Sequence, residues 1–204
     1  MSKKSLLSHD ELAYIQQILG TSLSNGSLPT PSFRVDGGAT ANALLAGLGK
    51  HSELKLEANF GDQRLSFPLQ LVEDEFHALH LELGAPGIFQ QGAVQRSWRL
   101  VLERPVTLLN ENGQESSLRV YEISPSGVLL DNCQQHSLPE NFNLWLPLPG
   151  QEPIRLCGCR VRRVSKQLTA FRLDLLPGSH GERLRHFIFQ QHRLAHPQLQ
   201  PRQA

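Results

Sequence analysis

Long apolar runs are missing from this chain: nowhere do its 204 residues approach the roughly 20 consecutive apolar positions of a membrane-spanning helix. An excess of one charge is missing too. The 20 Lys and Arg nearly balance the 19 Asp and Glu, leaving a formal net charge of +1. No bulk attraction to DNA or to an anionic membrane follows from that balance. Cysteine is scarce. Its three residues, Cys133, Cys157 and Cys159, are an odd number behind an N-terminus that does not read as an export signal. Lys3 and Lys4 start basic, but Leu6 and Leu7 run at once into Ser8-His9-Asp10-Glu11, too short and too polar for a signal peptide. The expectation is a reducing, cytoplasmic setting with unpaired thiols.

Catalytic and metal-binding patterns are also absent. Asp174, Glu182 and His186 fall in no recognisable nucleophile–base order, and His77 and His80 have neither strand nor helix ligand spacing. Cys157-Gly158-Cys159 lacks the C-x₂₋₄-C spacing and the further ligands of a zinc site. Residues two apart on a strand face the same way, so these thiols are expected to pack in a core. Neither a hydrolase nor a metalloprotein is indicated; the reading is no enzyme, no cofactor and no metal.

What is present is strand periodicity framed by helices. Ser8 to Glu11 has capping-box spacing before Leu12, Ile15 and Leu19, and predicts a short helix stopped at Gly20. Thr21 to Gly38, rich in Ser, Gly, Pro and Asn, reads as a linker, and Ala39 to Leu48 as a short helix. From Ser52 the period becomes two: Leu54, Leu56 and Ala58, then Leu65, Phe67 and Leu69, then Leu79, Leu81 and Leu83. Three strands with short turns predict an antiparallel β module closed at Gly84 to Gly87. Further strands are expected to Leu109, from Ser116 to Ile123, at Val128 to Leu130, Phe142 to Leu146, Ile154 to Val164 and Thr169 to Leu175. Asn110-Glu111-Asn112-Gly113 is a strong turn signal, and Pro147 to Pro153 reads as a breaker run. Ser179 to Glu182 repeats the capping box ahead of Leu184, Phe187, Ile188 and Leu194, which predicts an amphipathic C-terminal helix ending before Pro197. No internal repeat is seen.

Two polar constellations stand out. Gln95-Arg96-Ser97-Trp98-Arg99-Leu100, with Arg104 beyond it, concentrates guanidinium groups on one segment. Glu122-Ile123-Ser124-Pro125-Ser126-Gly127 is a turn carrying a carboxylate, a hydroxyl and a glycine. Arginine's planar fork suits phosphate oxygens and the O6/N7 edge of guanine, and it stacks on bases. A Ser/Gly turn lets backbone approach a ligand closely. Read blandly, the arginines are a solvated face and S-P-S-G an ordinary turn. Arg155, Arg160, Arg162, Arg163 and Lys166 likewise read as a solvated barrel face, or as a stripe for an anionic partner.

In that order, the two constellations, the Cys159-Arg160-Val161-Arg162-Arg163 strand, the Phe171 strand and the closing helix resemble PilZ domains, the bacterial receptors for cyclic di-GMP. The resemblance covers roughly the last 100 residues. The β module leading into the arginine segment is similar in layout to the family's two-domain flagellar-brake group. It implies a mainly β fold, with an N-terminal helix and β module over 1–93, a PilZ-like antiparallel β-barrel with a C-terminal helix over 94–196, and a tail over 197–204. It also implies a ligand site at Gln95, Arg96, Arg99, Arg104, Glu122, Ser124 and Gly127. Two positions depart from the family's R-x-x-x-R and (D/N)-x-S-x-x-G patterns. With Arg99 as the last arginine, Gln95 stands where the first belongs, and Glu122 replaces Asp or Asn. Each lost charged hydrogen bond is worth about 1.5–3 kcal/mol. Two functions follow from the resemblance. One is a non-enzymatic cyclic di-GMP receptor that signals by ordering the inter-domain arginine segment. The other is a degenerate adaptor that binds a protein partner without nucleotide, in motility or pilus control.

Overall fold

The computed structural model describes residues 32–35, 38–75, 78–132, 138–165, 167–174 and 179–197. The helix expected from Ser8 to Gly20 lies outside these residues, as do His77, Cys133, Lys166, Leu175 and the tail after Pro197. The described chain is mainly β. In order it forms β1 (Ser32–Arg34), α1 (Gly38–His51), β2 (Leu54–Phe60), β3 (Gln63–Glu73), β4 (Leu79–Leu83), β5 (Gly87–Gln90) and β6 (Arg96–Ser97). Then follow β7 (Leu100–Leu109), β8 (Glu115–Ser124), β9 (Gly127–Asn132), β10 (Asn141–Leu148), β11 (Gln151–Arg163), β12 (Leu168–Leu173) and α2 (Ser179–Ala195). Two compact units emerge. One takes the described parts of Met1–Leu54, Pro68–Gly84 and His192–Ala204; the other takes Lys55–Phe67 and Ala85–Gln191.

In the first unit, β4 lies antiparallel between β1 and the second half of β3. Ser32–Arg34 is therefore a strand, which corrects the reading of Thr21 to Gly38 as linker throughout. Phe33 takes a register position opposite Leu81, and three paired residues suffice to fix a strand too short to show periodicity. Helix α1 sets Gly49 over Leu71, at the distance where an added Cβ would make ordinary contact. Asp74 holds the turn before β4, accepting from the Ala78 N–H at 2.8 Å and pairing with His80 Nε2 at 2.8 Å.

In the second unit, the first half of β3 pairs with β5, Leu65 opposite Ile88, and both side chains are buried. The module thus continues past Gly84 to Gly87, where the sequence reading closed it. Strand β2 pairs with β3 but leaves Leu56 and Ala58 exposed, so the half-buried face expected there does not form.

The rest of this unit is a closed antiparallel barrel in the order β10-β11-β12-β9-β8-β7. Its interior is made by alternation. Leu118, Val120, Val128, Leu130, Phe142, Leu146, Ile154, Leu156, Phe171 and Leu173 are buried, each worth about 1.5–3 kcal/mol against exposure. Phe142 and Phe171 meet edge to face at 5.2 Å. Gly158 makes room for that contact: a Cβ there would stand 2.6 Å from the Phe142 ring and 2.9 Å from the Arg172 carbonyl oxygen.

Two local expectations change in the barrel and one on the closing helix. Cys157 and Cys159 are half-exposed rather than core residues, because the inward positions of β11 are Ile154, Leu156 and Gly158. The Cys157 thiol instead donates to Asn143 Oδ1 at 3.3 Å. Pro147 does not break β10, which runs through it to Leu148; the register shifts at that point, where a missing N–H is tolerated. The turn reduces to Pro149 and Gly150, with Gly150 at φ 67°. On α2 the buried stripe is Leu184, Ile188 and Phe189, and Phe189 meets Phe67 edge to face at 5.8 Å. Phe187 is only half-buried and Leu194 is exposed, because each lies off the 184–188–192 stripe of the helix.

Candidate functional site

The arginine segment is stitched into the second unit rather than left as free coil. Arg96 pairs with Gln90 and Ser97 with Phe89, and the Trp98 N–H donates to the Ile88 carbonyl at 2.8 Å. Gln95, Arg96 and Arg99 stay exposed, while Leu100 turns into the core and begins β7.

A β-bulge builds the other half of the site. Val120 pairs with Leu130 but Glu122 pairs with Leu129, so β8 spends two residues against one of β9. The extra residue reverses the inward parity from Leu118 and Val120 to Ile123, and so sets Glu122 on the outer face. There Glu122 takes the register position opposite Val101, and its Oε2 lies 3.6 Å from Arg99 Nη1. The two side chains are 30% and 66% exposed, which puts the pair among those worth about 0–1 kcal/mol. Arg99 can exchange this carboxylate for another anion at little cost.

The turn follows directly. Ser124 pairs with Gly127, and its hydroxyl donates to the Gly127 carbonyl at 3.1 Å. Gly127 lies in close approach to β12: a Cβ there would sit 3.1 Å from the Phe171 carbonyl oxygen, tight enough that the neighbour would have to give by a few tenths of an ångström. Ser126 and Ser97 bring their hydroxyls within 3.4 Å, placing the turn beside the arginine segment. Ser97, Arg99, Glu122, Ser124 and Gly127 are thus gathered at one end of the barrel. Gln95 and Arg96 lie on the same segment. Arg104 stands apart, five residues beyond Arg99 on β7, roughly 15 Å along an extended strand. Arg172 was not singled out in the sequence, yet it is the register partner of Gly127 on β12. Among the described residues no cluster of three or more His, Cys, Asp or Glu is placed to hold a metal ion, and no helix is long and apolar enough to cross a membrane.

The PilZ domain family model matches residues 94–190. Residues 94–190 form a PilZ domain. The matched span begins at the arginine segment and takes in the turn, the closed ring and most of α2. Solved structures similar to this chain include these three. YcgR from Escherichia coli in complex with c-di-GMP is 16% identical, with 85% of this chain and 79% of that one covered and a TM-score of 0.40. The Bacillus subtilis inhibitor of motility MotI/DgrA is 14% identical, covering 71% and 75%, at a TM-score of 0.38. The K. pneumonia MrkH–c-di-GMP complex is 14% identical, covering 72% and 74%, at 0.37. No curated protein matches. Around the PilZ motifs the departures keep their sequence positions: Gln95 is exposed at the start of the segment, and Glu122 is engaged with Arg99.

Proposed function

We propose that this chain is a non-enzymatic receptor for cyclic di-GMP, held by the arginine segment and the Glu122–Gly127 turn. The observation that carries the reading is the Arg99–Glu122 pair, 3.6 Å apart beside the Ser124–Gly127 turn. It supplies a guanidinium fork, a guanine N–H acceptor and a close-approach glycine within one hairpin's width. Ligand phosphate would take Arg99 from Glu122. That exchange is the differential contact through which binding could reorder residues 94–104 and shift a 1–93 module against the 94–196 domain. In this reading the protein works in the cytoplasm, in motility control, through a protein partner and without DNA or a membrane span.

The test is calorimetric titration of cyclic di-GMP into the full chain and three variants. Arg99→Ala should weaken binding by about 1.5–3 kcal/mol, roughly one to two decades. Gln95→Arg should tighten it, and Glu122→Asp should tighten it further, with gains that shrink as salt rises. A second reading is favoured by the same contact: Arg99 already has its carboxylate, and Gln95 brings no charge. Absence of heat with both the natural chain and Gln95→Arg would replace the receptor by a nucleotide-free adaptor.

A further inference from the structure

We propose that Arg172 is a further ligand-contacting residue, gripping cyclic di-GMP from the side of the turn opposite Arg99; this rests on the receptor reading above. The register runs one row across the end of the barrel: Ser124 opposite Gly127, Gly127 opposite Arg172, Arg172 opposite Cys159. Directly paired residues share a face. Phe171 and Leu173 point into the core, so Arg172 between them points out, and its side chain is 66% exposed. It stands on the strand whose Phe171 carbonyl oxygen closely approaches position 127, two strand spacings or about 10 Å from β8.

The neighbouring outer row supplies a floor. Glu122 pairs with Leu129, and Leu129 with Ala170, and both of the latter are half-buried uncharged side chains on the outer face. An apolar strip between two guanidinium groups fits a ligand that carries two phosphates and two flat bases. Arg172 is also held as Arg99 is. Asp174 Oδ1 lies 3.5 Å from its Nε, with both side chains about two-thirds exposed, so the contact is weak and exchangeable. Two arginines of the neighbouring strand β11 are differently placed. Arg155 donates to Asn143 Oδ1 at 2.9 Å and sits opposite Trp145. Arg160 is engaged by Glu140. An outward arginine can be no more than a solvated side chain, but its register against Gly127 separates Arg172 from these.

The experiment is titration of cyclic di-GMP into full-length Arg172→Ala, Arg172→Lys, Asp174→Asn and, as a control, Arg155→Ala. Arg172→Ala should weaken binding about tenfold or more, Arg172→Lys should weaken it less, and Asp174→Asn should tighten it. Arg155→Ala should bind as the natural chain does. Urea midpoints should not move for Arg172→Ala, because the side chain lies on the surface. Arg172→Lys keeps the charge and serves as a second variant should the alanine form fold poorly. Equal affinity of the natural chain, Arg172→Ala and Arg172→Lys would overturn the inference while leaving the receptor reading intact. No binding by the natural chain or by Gln95→Arg would overturn the receptor reading, and this inference with it.

Discussion

Strand β8 carries two arginine–carboxylate contacts that differ in every respect except chemistry. Toward its middle, Arg119 and Asp131 are register partners, with Nη2 and Oδ2 2.6 Å apart and the carboxylate only 8% exposed. Toward its end, Arg99 and Glu122 stand 3.6 Å apart with 66% and 30% exposed. Burial removes water as a competitor and makes loss of either partner costly. Exposure leaves water and other anions as ready replacements. The first pair therefore belongs to the fold, and the second can be broken at little cost to it.

The comparison breaks if the two pairs respond alike to truncation. Asp131→Ala, which strips a mostly buried carboxylate from Arg119, should lower stability by about 2–3 kcal/mol, read as a shift in urea midpoint at unchanged slope. A change under about 0.5 kcal/mol would move this pair into the exchangeable class.

His192 extends the contrast to a proton. It is fully buried in α2 and stacked on His196 at 4.2 Å. Burial first, and the neighbouring imidazole second, push it down from its ordinary 6.5 to about 4. Between those values the unfolded chain binds a proton that the folded chain refuses. The stability contribution is therefore complete above about pH 6.5 and is lost as pH falls toward 4, by on the order of 2–3 kcal/mol. Urea midpoints across that range should fall for the natural chain and fall less for His192→Gln.

The smallest expected effect is at the exposed pair. Arg99→Ala should change stability by about 0–1 kcal/mol even where it removes ligand binding. Equal losses in both measurements would place Arg99 in the fold instead.

A further test concerns the division proposed at residue 93. A fragment from about Gly92 should fold as a mostly β protein by circular dichroism. It would lack the Phe67 ring against Phe189 and so should be less stable than the full chain.

Much of the barrel was legible as period-two alternation bounded by turn residues. At Asn110 to Gly113 the turn forms as expected, with the Asn110 side chain accepting from the N–H groups of Asn112 and Gln114. The arginine segment and the Ser124–Gly127 turn were legible as chemistry in order. The bulge at Tyr121 was not, because it exists only in the pairing of β8 with β9; without it, alternation from Val120 would turn Glu122 inward. Arg172 was hidden for the same reason, since its place beside Gly127 is a register fact. The thiols at 157 and 159 were placed inside because spacing fixes that two residues share a face, and not which face. Phe187 and Phe189 show the same limit on a helix: two positions apart, they differ by about 200° in direction, and only the packed partner, here Phe67, selects one.

The ring is closed, but unevenly. Strand β10 shares seven register pairs with β11 and a single one, Leu109 with Trp145, with β7. A bracelet opens at its clasp. In deuterium exchange, the amides along this seam should trade their protons in local openings well below the free energy of global unfolding, ahead of those between β10 and β11. A closed ring also offers no free strand edge for other chains to extend, so brief parting of the seam would be the moment when this barrel is open to mispairing.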